Sequence, residues 1–246
     1  MKKLIIAIIL LIAIEDIAIA TDLTMSLNDN AASLNGGFSS RIIQMIGIMT
    51  ILSVAPSIVI MFSSFVKISV VLSILRNGLG LQQTPPNSVL SSLALFLTFF
   101  VMQNTITEIY DNALEPLMDD RITNEMAWEN IQIPVKDFML QNTADKELSL
   151  FRGMGKIDDK ISRDDTPIYV LIPAFLISEL RKAFEIGFLI FLPFLIIDLV
   201  VSSLLMAMGM MMLPPVTISL PFKLIFFVLV DGWYMICGSL VKSYGL

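Results

Sequence analysis

The sequence predicts an all-α membrane protein built from apolar helical hairpins, and three observations carry that expectation. Of 246 residues, 56% are hydrophobic and 15% are charged, whereas soluble domains carry roughly 25% charged residues. Four apolar runs, at about 42–66, 89–106, 186–213 and 224–241, approach or exceed the roughly 20 residues that span a bilayer as helix. Turn signals separate them, among them Asn77-Gly78-Leu79-Gly80, "QQTPPNS" and Pro214-Pro215.

The first residues, "MKKLIIAIILLIAIEDIAIA", combine a basic start, a short apolar stretch and Ala18-Ile19-Ala20. That layout predicts a secretory signal peptide over 1–20, cleaved after Ala20, with the mature N-terminus outside the cytoplasm. Residues 21–246 are then read as one domain. Thr21 to Ser40 form a polar leader, and the first apolar run continues through "KISVVLSILR" as helix-compatible sequence until Asn77-Gly78-Leu79-Gly80 stops it. Asn87 or Ser88 is placed to cap the second apolar helix. A hydrophilic insert, 108–182, follows. Its segment Glu108–Asp165 holds 14 acidic against 7 basic side chains, a balance of −7 within a chain of net charge −6. The pieces "PVKDFMLQ" and "KELSLF" read as helical, with Pro134 suited to a first turn.

The balance excludes some functions. Nucleic-acid binding needs basic surfaces. The chain has no histidine, which removes the commonest metal ligand and proton shuttle. Its single cysteine, Cys237, lies in an apolar run and reads as a small buried hydrophobe. No P-loop, metal cluster or catalytic triad is present in the sequence, so neither an enzyme nor a cofactor is expected.

The third run is too long for hydrocarbon alone. Its 28 residues make a helix of about 42 Å, so its end must tilt, break or leave the lipid. Charge placement is also unusual. With each run crossing once, the inner flanks carry Lys67, Arg76 and Lys223, and the outer flanks carry Arg41, Arg181, Lys182 and Lys242. That distribution does not follow the positive-inside rule, as expected if partner subunits rather than lipid cover some runs.

Asp198 and Asp231 stand inside the third and fourth runs. Carboxylates there are expensive and face a partner or a water-filled path. One reading is a buried pair that ties helices or subunits together, with Lys223, Arg181 or Lys182 as partners. The other is an ion-coupling role in a small-solute or metal-ion transporter. In "SELRKAFEIG", Glu179, Arg181, Lys182 and Glu185 sit at i,i+3 and i,i+4 spacings, which fits a solvated helix face or a charged belt between copies.

Five of the 16 methionines fall between Met206 and Met212. They fit ordinary packing, a soft Cu(I) site at Met206, Met208 and Met210, or a compliant hydrophobic constriction. Gly209, Pro214 and Pro215 make this loop non-helical, which at membrane depth requires burial in protein or a cavity lining.

Three gap-free stretches carry a resemblance. They are "FVKISVVLSILRNGLGLQQTPPNSVLSSLALFLTFFVM", "PVKDFMLQNTADKELSLF" and "LIPAFLISELRKAFEIGFLIFLPFLIIDLVVSSLLMAMGMMMLPPVTISLPFKLIFFVLVDGW". They resemble the FliP/SctR family of type III secretion export-gate proteins, and the signal peptide and acidic insert favour its flagellar branch. The resemblance implies a core subunit of the export gate in the bacterial inner membrane, at the flagellar basal body, with a periplasm-facing portion. Several copies would assemble with FliQ and FliR into a helical cone around a central pore, beside FlhB and FlhA. Unfolded flagellar export substrates would pass through it. Met210, Met211 and Met212 map onto the family's methionine gasket, and the acidic insert would fold as helices between neighbouring subunits.

Overall fold

The computed structural model describes residues 45–47, 49–50, 53, 60–157, 162–210 and 213–245. The signal peptide with Ala18 and Ala20, the leader, most of the first apolar run, and Met211 and Met212 lie outside these residues. The described chain is all-helical, with no strand among its residues.

The elements are α1 (Phe65–Gly78), α2 (Asn87–Val101), α3 (Gln103–Ile109), a π-helical turn (Tyr110–Leu114), α4 (Glu115–Met118), α5 (Asn124–Asn142), α6 (Asp145–Met154), α7 (Ile168–Ala207), α8 (Pro215–Leu229) and α9 (Gly232–Lys242). Two compact units result. One includes Thr105–Ile131, and the other comprises Ile60–Asn104 and Gln132–Leu246. In the first, Ala113, Leu114 and Ala127 are buried, and Asn130 donates to the Asn112 carbonyl at 2.8 Å.

The second unit is centred on α1. Ile68, Val71, Leu72 and Leu75 are fully buried at the spacing of one helix face. α1 packs against α7 and α2, while α6 and α8 also lie on α7. The α1–α7 approach is close because Gly187 faces Ile74. A Cβ on Gly187 would sit 2.5 Å from the Ile74 Cδ1 atom.

Among the described residues, the second, third and fourth runs do not form helices with the expected limits. The first run does not continue smoothly into α1, because the chain turns at Phe62–Ser64, where the Ser63 hydroxyl donates to the Ile60 carbonyl. The second helix stops at Met102, where apolar residues give way to Gln103-Asn104, and a shorter helix follows. The third is 40 residues rather than 28. It starts at Ile168 behind the Pro167 N-cap and absorbs the end of the expected insert. At 1.5 Å per residue it is about 60 Å long, twice the hydrocarbon thickness. The fourth run, 224–241, is split between α8 and α9, which meet at 63° around Asp231.

Local expectations also shift. Pro134 lies inside α5 rather than in a first turn, because that helix starts ten residues earlier. Asn87 begins α2 behind Pro86, and its side-chain oxygen accepts from Arg76 instead of capping.

Among the described residues, α7 is the one helix long and apolar enough by length and composition to cross a membrane, or up to three spans exist if each bent helix pair counts as one. Only 11% of the most apolar window of α7 is buried within the chain. Its remaining surface therefore needs lipid or protein around it.

Candidate functional site

The methionine segment forms the turn of a helical hairpin between α7 and α8. α7 ends in a Schellman motif. The Met210 N–H reaches the Leu205 carbonyl at 2.9 Å, and the Gly209 N–H reaches Met206 at 3.1 Å. Gly209 takes the left-handed conformation this requires, with φ +73°. Pro214 is the N-cap of α8 and Pro215 its first residue, where a missing N–H costs nothing. Two helix signals placed back to back thus define a short, sharply bounded turn. Met206, in the last turn of α7, and Met208 and Met210 after it are all exposed.

The hairpin stem is fastened by one carboxylate. Asp198 on α7 accepts from Ser219 Oγ at 2.6 Å through Oδ1, and from Lys223 Nζ at 2.7 Å through Oδ2. Both donors are on α8. The same ammonium donates to the Gly78 carbonyl at 3.0 Å, at the C-terminus of α1. That end carries unpaired carbonyls and a negative partial charge, which favour a cation. Lys223 is 3% exposed. One buried ammonium therefore joins three helices.

Asp231 behaves differently. It is exposed, with φ +51°, at the break between α8 and α9. Aspartate tolerates this left-handed conformation better than most residues, so the residue that looked like a buried charge in an unbroken span marks a helix break. No ion pair joins Asp231 to Lys223, Arg181 or Lys182.

The charged group on α7 is neither a plain solvated face nor scattered. Glu179 is fully buried and Lys67, on α1, is equally buried 3.5 Å away. The Lys67 ammonium lies 3.4 Å above the Tyr244 ring centroid, and the Tyr244 hydroxyl donates to Glu179 Oε2. Lys182 adds a second cation 3.7 Å from Glu179 and donates to the Asn142 carbonyl at 2.6 Å, at the end of α5. Arg181 pairs with Glu147 at 3.1 Å and Glu185 at 3.5 Å. Lys67 and Tyr244 lie outside the candidate spans. Burial, partly offset by Glu179, pushes the Lys67 ammonium down to about 8, with Lys182 acting in the same direction as burial. Burial and then the Glu179 charge push the Tyr244 phenol well above its ordinary range.

The sequence reading missed Lys67 and Tyr244 as members of this network. Lys67 was legible only as a flanking charge, and the spacing of 112 residues to Glu179 offers no periodic signal. Met210 is the one gasket candidate within the described residues. Among the described residues no group of three His, Cys, Asp or Glu could hold a metal ion.

These features define a membrane-type chain, all-helical in its described residues, that carries a clamped hairpin with a methionine-bearing turn. The comparisons make the assignment specific. The FliP family model matches residues 48–240. The flagellar biosynthetic protein FliP of Caulobacter vibrioides is 57% identical over 208 residues, covering 85% of this chain and 78% of that protein. That of Bacillus subtilis is 52% identical, covering 83% and 93%, and that of Agrobacterium fabrum is 44% identical, covering 99% and 100%. The chain belongs to the FliP family.

Proposed function

We propose that this chain is a non-enzymatic core subunit of the flagellar protein export gate in the bacterial inner membrane. Several copies assemble with FliQ and FliR around a path for unfolded flagellar substrates, next to FlhB and FlhA. Family membership supports the flagellar export role. The observation that supports the gate reading is the hairpin, which holds exposed methionines on a short turn at the end of a stem pinned by partly buried polar contacts. Unbranched thioether side chains conform to different shapes, so a ring of such turns closes against hydrated ions by a hydrophobic constriction and yields to a passing chain. Met210, with Met211 and Met212, supplies the ring, while Gly209, Pro214 and Pro215 set the turn. The contacts favour the gate reading over a transporter, because Asp198 is paired with Ser219 and Lys223 and Asp231 is exposed at a break.

The test is genetic and biochemical together. Loss of the chain should abolish filament export, and the tagged chain should copurify with FliQ and FliR. Solute transport by the chain reconstituted alone would overturn the reading.

A further inference from the structure

We propose that Asp198, Ser219 and Lys223 are positioning residues for the methionine turn, and that Lys223 sets its place by anchoring the hairpin to the end of α1. The inference deepens the gate reading and rests on it for its consequence at the seal, but not for its geometry.

Four observations carry it. Within the described part of the turn, a Cβ added at Gly209 would meet nothing within 4 Å. The stem is held by the two oxygens of Asp198, each committed to a different α8 donor one helical turn apart, Ser219 and Lys223. Two contacts at that spacing fix both the rotation and the sliding of α8 against α7, which one contact cannot do. The Lys223 ammonium is shared with the Gly78 carbonyl, and the surrounding ring of Phe191 and Phe194 lies so near Gly78 that an added Cβ would be 3.1 Å from each. The α1 end is thus tightly packed, and it is the fixed point. The hairpin cannot shift along α1 without breaking the Gly78 contact, and cannot open without breaking the Asp198 pair. Packed interfaces of this type have discrete arrangements instead of a continuous range.

The chemistry predicts separable effects. Asp198→Asn removes the charge that holds Lys223 but keeps an acceptor for Ser219. Ser219→Ala removes one donor, leaves the ion pair and disturbs the fold least. Hydrogen exchange of the full chain, in its complex extracted in detergent, reads the stem directly. Amide exchange across residues 199–222 should rise about tenfold in Asp198→Asn, equal to ~1.4 kcal/mol of lost local protection. A smaller rise is expected in Ser219→Ala, while α1 residues 65–72 and α6 stay at the wild-type rate. Ion leak across the inner membrane, measured on the same variants, should increase in the same order.

Raised exchange confined to the hairpin supports the positioning role whatever the leak does. Confined exchange with an unchanged leak leaves the positioning role standing and removes the seal reading. Wild-type exchange in both variants overturns the proposal. So does a rise spread evenly over α1, α6 and α7, which would mean the three residues only stabilise the fold.

Discussion

Lys67 and Glu179 are each fully buried, so their energetics follow from what remains when one is removed. A buried charge without its partner costs on the order of 3–5 kcal/mol. In Glu179→Gln the Lys67 ammonium keeps only the Tyr244 ring. In Lys67→Met the Glu179 carboxylate keeps Lys182 and the Tyr244 hydroxyl. Glu179→Gln should therefore destabilise more than Lys67→Met in thermal unfolding of the detergent-solubilised protein. The double variant should recover part of the loss. The folded state also binds its Lys67 proton less tightly than the unfolded chain does, about 8 against 10.5. Between those values the unfolded chain holds more protons, so stability rises with pH through this window. Below pH 8 the lysine is charged in both states and the cost is constant. Tyr244 is raised, so its contribution is present below its unfolded value and falls away as pH rises beyond it. Wild type measured against Lys67→Met should gain stability from about pH 8 to 10.5, with the Tyr244 effect common to both. A flat difference would mean that Lys67 is not the buried cation the geometry describes.

At the scale of elements, the break at Asp231 is the sharpest test of how helices end here. Asp231→Gly should leave stability unchanged or slightly raised, because glycine takes φ +51° freely. Asp231→Ala should cost about 1 kcal/mol. Equal losses for both would return Asp231 to a pairing role. The neighbouring Gly232 has no such freedom for another reason. A Cβ there would fall 2.1 Å from the Phe227 ring, so Gly232→Ala should cost about 1–3 kcal/mol by overpacking, visible as a lower unfolding temperature. Much of this architecture was legible in the sequence. Gly78-Leu79-Gly80 ends α1 through the left-handed Gly80, and Gly209 with Pro214-Pro215 bounds the turn. Two features were not legible. The start of α7 at Ile168 is hidden by Pro173 and by the charges Glu179 to Lys182, which composition assigns to a polar insert until Glu179 is seen to be buried against α1. Asp231 sits among apolar residues, and hydropathy has no means of separating a charge that breaks a helix from one that is buried in it. The clamp was half legible, since Lys223 could be proposed for Asp198, while Ser219 and the Gly78 carbonyl come only from the packing.

Across the whole molecule the outer surface is the dominant fact. Val228, Leu229 and Tyr234 are at least three-quarters exposed, and the far half of α7 presents Leu199, Val200 and Leu204 outward. Patches of this extent mark lipid or partner contacts, so the chain made on its own should stay in the membrane fraction and leave it only with detergent. Recovery in the soluble fraction as a monodisperse species would contradict that. In the proposed gate the methionine turn closes the export path to ions. The most direct measurement is ion leak across the inner membrane of cells carrying Met210, Met211 and Met212 all changed to alanine, with assembly of the complex checked in the same cells. A larger leak in an assembled complex is expected. An unchanged leak with assembly intact would return these side chains to ordinary packing and contradict the seal.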